Sequence, residues 1–302
     1  MLRVRIFTAF LLLPLLLWLL IDGPEWAVMI LLLASIFVSV FEMSMMIQPR
    51  LDEMLRNYSH PGGGRSETGE IYIAASRTPH YRILALFCAL VMCSIFMVSA
   101  LYGMEAGRGI VVLGFVIAIL VGAFATRGIE AEMARVLGFT LTLAYAGFPW
   151  LVVWDLYSIA PGGIYLLMVL AIVWLGDTGG YFGGRFFGRH KLSPHKSPKK
   201  TWEGALVGLG ASVLGSFLWS LWAVPNDRSV LGVALLCGFF GGIAGQLGDL
   251  VESVIKRFTG VKDSGRLLPG HGGALDRIDG VLFAAPVIWF ILYVSGAVIK
   301  AS

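Results

Sequence analysis

Apolar runs of about 16–21 residues recur along this chain, and each is close to the length a helix needs to cross a bilayer. The composition agrees: of 302 residues, 57% are hydrophobic and 14% charged, with a mean hydropathy of +0.81. The expected fold is all-α: a polytopic integral membrane protein with about nine transmembrane helices. They fall near 4–21, 26–47, 83–102, 109–126, 137–154, 162–180, 204–224, 230–250 and 280–299. The first follows Arg3 and Arg5 like a signal peptide, but Asp22-Gly23-Pro24-Glu25 offers no small-residue cleavage site, so a retained span is expected. Cys88, Cys93 and Cys237 stand singly within apolar runs and read as small buried hydrophobes. The five histidines form no HExxH-like pattern, which argues against a zinc site.

Charge orients the chain. Of the 23 Lys and Arg residues, all but Arg108, Arg228 and Lys300 fall at the N-terminus or in 48–82, 127–136, 181–203 and 251–279. The positive-inside rule places those segments and the N-terminus in the cytoplasm, and an odd number of spans puts the C-terminus on the opposite face. Two regions are expected: 1–136, with four spans and a long loop at 48–82, and 137–302, with five spans and loops at 181–203 and 251–279. The tract HPGGGRSETGE in the first loop reads as a flexible surface connection, and 127–136 as a short amphipathic piece at the membrane surface.

Small residues recur every four positions in the seventh span (Gly204, Gly208, Ser212, Ser216) and again in the eighth (Gly241, Gly245). That interval lets helix backbones approach closely in lipid, so these two spans are expected to pack together. GLGASVLG at 208–215 lies within a span, with no preceding strand, and is not a dinucleotide fingerprint.

Chemistry is concentrated in two stretches. From Gly245 to Gly280 acids and bases are packed between two apolar runs, and Asp249, Glu252, Ser253 and Lys256 share one face of a helix. From Trp174 to Gly204, Asp177 is followed by no acid until Glu203, while Arg185, Arg189, Lys191, Lys196, Lys199 and Lys200 intervene. Asp177 lies roughly 20 Å, and Asp249 roughly 28 Å, along its helix, so both are expected near the cytoplasmic end of a span. A carboxylate at mid-bilayer costs about 2.5–3.5 kcal/mol on insertion scales, which makes function the default reading. Carboxylates hold Mg²⁺ by oxygen while Lys and Arg neutralise phosphate, so the combination points to metal-assisted phosphate chemistry. The cations alone could also anchor the chain to anionic headgroups. Walker A, GxSxG and protein-kinase signatures are absent from the sequence.

Ser253, Lys256, Arg257, Lys262, Asp263, Pro269, His271, Gly272, Gly273, Asp276, Arg277 and Asp279 stand in one long pattern, with Asp177-Thr178 and SPKKTWEG upstream. Across about 174–280 the chain closely resembles the CDP-diacylglycerol synthases, the phosphatidate cytidylyltransferases. The resemblance implies transfer of a cytidylyl group from CTP to phosphatidic acid, with release of pyrophosphate. It also implies a Mg²⁺ requirement, a monovalent cation such as K⁺, a homodimer, and a bacterial inner membrane with the active site facing the cytoplasm. CTP, phosphatidic acid and membrane lipids are the expected partners, and nucleic acid is not. Asp249 and Asp276 are the expected metal ligands, supported by Glu252 and Asp279. Lys256, Arg277, His271, Arg257 and Lys262 are expected on phosphate groups. Asp177, Ser197, Lys200, Thr201 and Glu203 are expected at the nucleotide, and Gly272-Gly273 at a close backbone approach to phosphate. Rival readings are a CTP-dependent polyprenol kinase and an isoprenoid-ether-lipid cytidylyltransferase. A transporter is a further rival, but no inverted repeat is evident and the charge gathers at one face.

Overall fold

A backbone with no water to bond to closes its own ladder, and nearly all of this chain does so as helix. The computed structural model describes residues 13–59, 78–124, 128–194, 196–225, 228–265 and 272–297. The described helices are α1 (Leu13–Asp22), α2 (Glu25–Ser59), α3 (Pro79–Phe124), α4 (Ile129–Thr142) and α5 (Pro149–Ser158). They continue with α6 (Ile164–Phe187), α7 (Trp202–Ala223), α8 (Arg228–Thr259) and α9 (Asp279–Ser295). Among the described residues six stretches are long and apolar enough to cross a membrane, and the shorter apolar helices are Leu13–Asp22, Val111–Val121 and Asp279–Ser295. The protein is an all-α multi-pass membrane protein carrying one small antiparallel hairpin, β1 (Lys191–Ser193) with β2 (Ser197–Thr201).

Several helices outrun the spans expected for them. The segment 48–82 begins as α2, which continues to Ser59, and the GGG tract falls outside the described residues, as does 4–12 of the first expected span. The segment 127–136 is the start of α4 rather than a separate surface piece. The stretch Pro79–Phe124 that carries spans 83–102 and 109–126 is two helices joined across a kink at Gly103, whose φ of 79° breaks the ladder in a conformation glycine adopts without cost. Between α4 and α5 a π turn at Leu143–Gly147 lets Phe148 N donate to Leu143 O at 2.8 Å, directly ahead of Pro149, which has no N–H to offer. Segment 181–203, expected as a loop, is the end of α6 followed by the hairpin.

The chain divides into two compact units that interleave along the sequence. One comprises Met1–Val28, Val152–Val254 and Ile278–Ser302, the other Met29–Leu151 and Ile255–Arg277.

In the first unit α6 and α7 lie backbone against backbone. A Cβ added at Gly208 would come within 2.8 Å of Gly176 O, and one at Gly204 within 2.8 Å of Gly180 O. The small residues expected to join the seventh and eighth spans therefore divide their faces. Gly204 and Gly208 meet α6, whereas Ser212 and Ser216 also receive Gly242 and Gly238 of α8. Gly241 and Gly245 look instead towards Ile288 and Gly280 in α9 and towards α6. Bonds to backbone oxygen pin the contacts: Ser212 Oγ donates to Ile172 O at 2.9 Å, and Trp219 Nε1 to Ile164 O at 2.7 Å. Trp289 Nε1 donates to Asp155.

The second unit is held by polar groups spaced along α2. Trp150 Nε1 donates to Ser39 Oγ at 3.1 Å, and Gln48 Nε2 to Arg135 O at 3.3 Å. Arg50 Nε donates to Phe258 O at 3.1 Å, satisfying a carbonyl in the last turn of α8 that the helix itself leaves open. The Arg50 guanidinium also lies 5.7 Å from the Phe258 ring centre.

Candidate active site

Glycines at 176, 180 and 184 bring α6 down onto the start of α7, and the residues beside them border a cavity of about 480 Å³. Asp177, Tyr181 and Arg185 line it from α6, Lys199, Lys200 and Thr201 from β2, and Gln246 and Asp249 from α8. The cationic side is the hairpin, whose β2 runs straight into α7. Thr201 caps that helix, its Oγ1 accepting from Gly204 N at 3.1 Å. Gln246 Nε2 reaches Ala205 O at 3.0 Å, tying α8 to the same first turn. The positive end of a 22-residue helix thus borders the cavity, an arrangement that attracts anions.

The carboxylates are paired with this charge. Lys200 Nζ lies 2.6 Å from Asp249 Oδ2, and Asp177 is within electrostatic reach of both Asp249 and Lys200. Asp279 hydrogen-bonds Glu252, with Asp249 and Asp177 close enough to act on it, and its Oδ1 accepts from Gly280 N at 2.7 Å. Glu252 is buried, 1% exposed. Four acidic residues of the expected site, Asp177, Asp249, Glu252 and Asp279, therefore gather in this unit.

Two expected nucleotide residues are placed differently. Ser197 opens β2 opposite Ser193 and is not part of the cavity wall. Glu203 turns back to brace the chain before the hairpin. Its oxygens accept from Arg189 N at 3.0 Å and His190 N at 3.2 Å, and it pairs with His190 Nδ1 at 2.6 Å. Tyr181, Arg185, Lys199 and Gln246 line the cavity without having been assigned to it. Arg185 and Lys199 belong to the legible cation run, but charge alone does not separate cavity-facing residues from their neighbours.

The second unit carries another acid–base pair. Lys256 Nζ lies 2.6 Å from Asp276 Oδ1. Asp276 Oδ2 accepts from Ser264 N at 3.0 Å, Ser264 Oγ at 3.1 Å and Gly273 N at 2.9 Å. Burial pushes this carboxyl up, but hydrogen bonding and charge from Lys256, with the Ser264 and Gly273 N–H groups, outweigh it and hold the group below its usual range. Gly272 takes φ 84°. Gly273 is packed against Ser264 and Glu42. Arg257, Lys262 and Arg277 are exposed, and His271 lies outside the described residues.

Among the described residues no group of three His, Cys, Asp or Glu side chains is arranged to hold a metal ion. The donor chemistry nevertheless fits a hard divalent cation: Asp177 and Asp249 offer oxygen in an open cavity, and an ammonium already rests on Asp249. Mg²⁺ commonly takes one or two protein carboxylates and completes its shell with water and substrate phosphate.

The profile of the cytidylyltransferase family matches residues 63–295. Similar proteins include the phosphatidate cytidylyltransferase of Brucella suis biovar 1 (strain 1330), 48% identical over 158 residues that cover 52% of this chain and 56% of the relative. That of Staphylococcus aureus (strain COL) is 45% identical over 155 residues, 50% of this chain and 57% of the relative. The matched stretch thus spans little more than half the length of these curated relatives.

Proposed function

The chain belongs to the cytidylyltransferase family, and on that premise we propose that it transfers a cytidylyl group from CTP to phosphatidic acid, forming CDP-diacylglycerol and pyrophosphate. The observation that carries this reading is the cavity in which Asp177 and Asp249 face Lys199, Lys200 and Arg185 beside the N-terminus of α7. A phosphate oxygen of the lipid attacks the α-phosphorus of CTP. A new P–O bond forms, the bond to the β-phosphate bridge breaks, and pyrophosphate leaves with the electron pair. The attacking oxygen is already ionised at neutral pH, so the site needs positioning and charge neutralisation rather than a strong base.

Lys199, Lys200 and Arg185, beside the positive end of α7, hold the triphosphate, and Thr201 keeps that helix end in place. Asp249 and Asp177 would hold Mg²⁺, which would supply neutralisation of phosphate oxygens. Glu252 and Asp279 support them. In the second unit Asp276, paired with Lys256, would supply a further carboxylate ligand. Lys256, Arg257, Lys262, Arg277 and His271 serve phosphate groups there. Glu203 acts through the hairpin it braces. We further place the N-terminus and the hairpin on the cytoplasmic side of a bacterial inner membrane, the C-terminus opposite, and the working enzyme as a homodimer that also uses a monovalent cation.

The test is an assay of purified protein with CTP labelled in its α- or γ-phosphate. Transfer of α-label to lipid with Mg²⁺-dependent pyrophosphate release is expected. Asp249→Asn and Asp276→Asn should each abolish it while the protein still inserts and purifies. Transfer of γ-label would make the chain a lipid kinase, and near-normal turnover in either variant would remove that residue from the metal site.

A further inference from the structure

Glu42 lies in α2, in an apolar span, yet its side chain is almost wholly buried, 6% exposed. The contacts that satisfy it come from a segment more than 200 positions away. Its Oε2 accepts from Leu275 N at 3.0 Å and from Ser264 Oγ at 3.1 Å, and its Oε1 accepts from Ala274 N at 3.3 Å. Ser264 and Leu275 are themselves fully buried. One carboxylate therefore holds Ser264 together with Ala274 and Leu275, ten and eleven positions further on. The glycines beside it fit the same close approach: a Cβ at Gly265 would collide with the Glu42 carboxylate, and one at Gly273 with Ser264.

Asp276 grips the same two stretches from within the 262–277 segment, through Ser264 N and Gly273 N. The Ser264 hydroxyl is 3.1 Å from a carboxylate oxygen of each acid. It has a single proton, so it bridges the two carboxylates rather than serving either alone. A buried carboxyl is costly unless the groups that donate to it stay fixed.

We propose that Glu42 is a positioning residue of the active centre: it clamps the base of the 262–277 segment, so that the residues carried there stay aligned for transfer. The proposal rests on cytidylyl transfer as the reaction, but the clamp itself can be observed without it. Glu42→Gln keeps the size of the side chain but leaves one oxygen where two accepted, with an amide donor set against the backbone N–H groups of Ala274 or Leu275. Turnover should fall by about tenfold or more, with the KM for CTP changed less than about threefold, since alignment is lost and the α6–α8 cavity is untouched. Ser264→Ala should do the same and Ser264→Thr, which keeps the hydroxyl, should restore activity. The Glu42→Gln/Ser264→Ala pair should be no worse than the poorer single variant, because both cut one network.

Hydrogen exchange of the detergent-purified protein gives the independent reading: amides in 262–277 should exchange faster in Glu42→Gln than in the parent. If the parent transfers no cytidylyl group but this acceleration is seen, the reaction is wrong and the clamp stands. If exchange and turnover in Glu42→Gln both match the parent, or the two substitutions add fully, the clamp is refuted. Faster exchange with unchanged turnover would refute its role in alignment.

Discussion

Lys200 is the residue on which the cavity's charge balance turns. Its ammonium sits 2.6 Å from Asp249, and its neighbour Lys199 lines the same wall. When a triphosphate enters, Lys200 has two sets of oxygens to choose between, and partial release of Asp249 would leave that carboxylate available to a metal ion. Lys200→Met should then lower kcat/KM for CTP by about a hundredfold or more, comparable to loss of a charge that acts on a transferring phosphoryl group. Lys191→Ala, an exposed cation outside the cavity, should leave steady-state kinetics unchanged. Equal effects from both would mean that the hairpin works only as a diffuse positive patch. Asp177 and Asp249 could be picked out in the sequence because carboxylates stand out against an apolar run, whereas Lys200 and Thr201 came with the family resemblance of SPKKTWEG. Glu42 could not be assigned in the same way. It has no spacing pattern with its partners, and its reason for being charged lies in backbone N–H groups that no sequence displays.

Among the elements, the contact of α6 with α7 decides whether there is a cavity at all, because its walls are the ends of those two helices. Gly204 tolerates nothing larger: a Cβ there would meet Gly180 O at 2.8 Å and Gly184 N at 3.0 Å, all backbone. Gly204→Val should push the helices apart, lower the melting temperature in detergent and cost CTP binding. Gly210 of the same helix is the control, since a Cβ there meets nothing within 4 Å. Gly210→Ala should be neutral or stabilising by up to about 1 kcal/mol, the propensity difference between the two residues. A thermal-shift series that failed to separate the two substitutions would show that small-residue packing is not what holds this pair. The four-residue interval was legible, but the partner was not. A stripe of small residues says that something approaches closely, and only the folded chain says that α6 takes Gly204 and Gly208, that Ser212 meets both α6 and α8, and that Ser216 meets α8. The hairpin was equally hidden, since SPKKT has none of the alternating apolar pattern by which strands are recognised.

For the molecule as a whole, charge bias along the sequence makes a prediction that helix packing cannot make. The fold supplies apolar helices and their lengths; orientation across a bilayer depends on where Lys and Arg fall. The first unit offers probes for both ends of that prediction, because Asp22 and Lys191 are each exposed. The native thiols are poor competitors, with Cys88 and Cys237 buried and Cys93 only partly accessible. Single substitutions Asp22→Cys and Lys191→Cys, treated in intact cells with a charged maleimide that cannot cross the membrane, should therefore report one side each. Asp22→Cys should react directly once the outer layers are made permeable. Lys191→Cys should react only after the inner membrane is opened, because the reaction proposed for the cavity beside the hairpin draws its CTP from the cytoplasm. The opposite pattern would place the phosphate-binding cavity on the side that holds no nucleotide, and cytidylyl transfer could not be retained as the function of this chain.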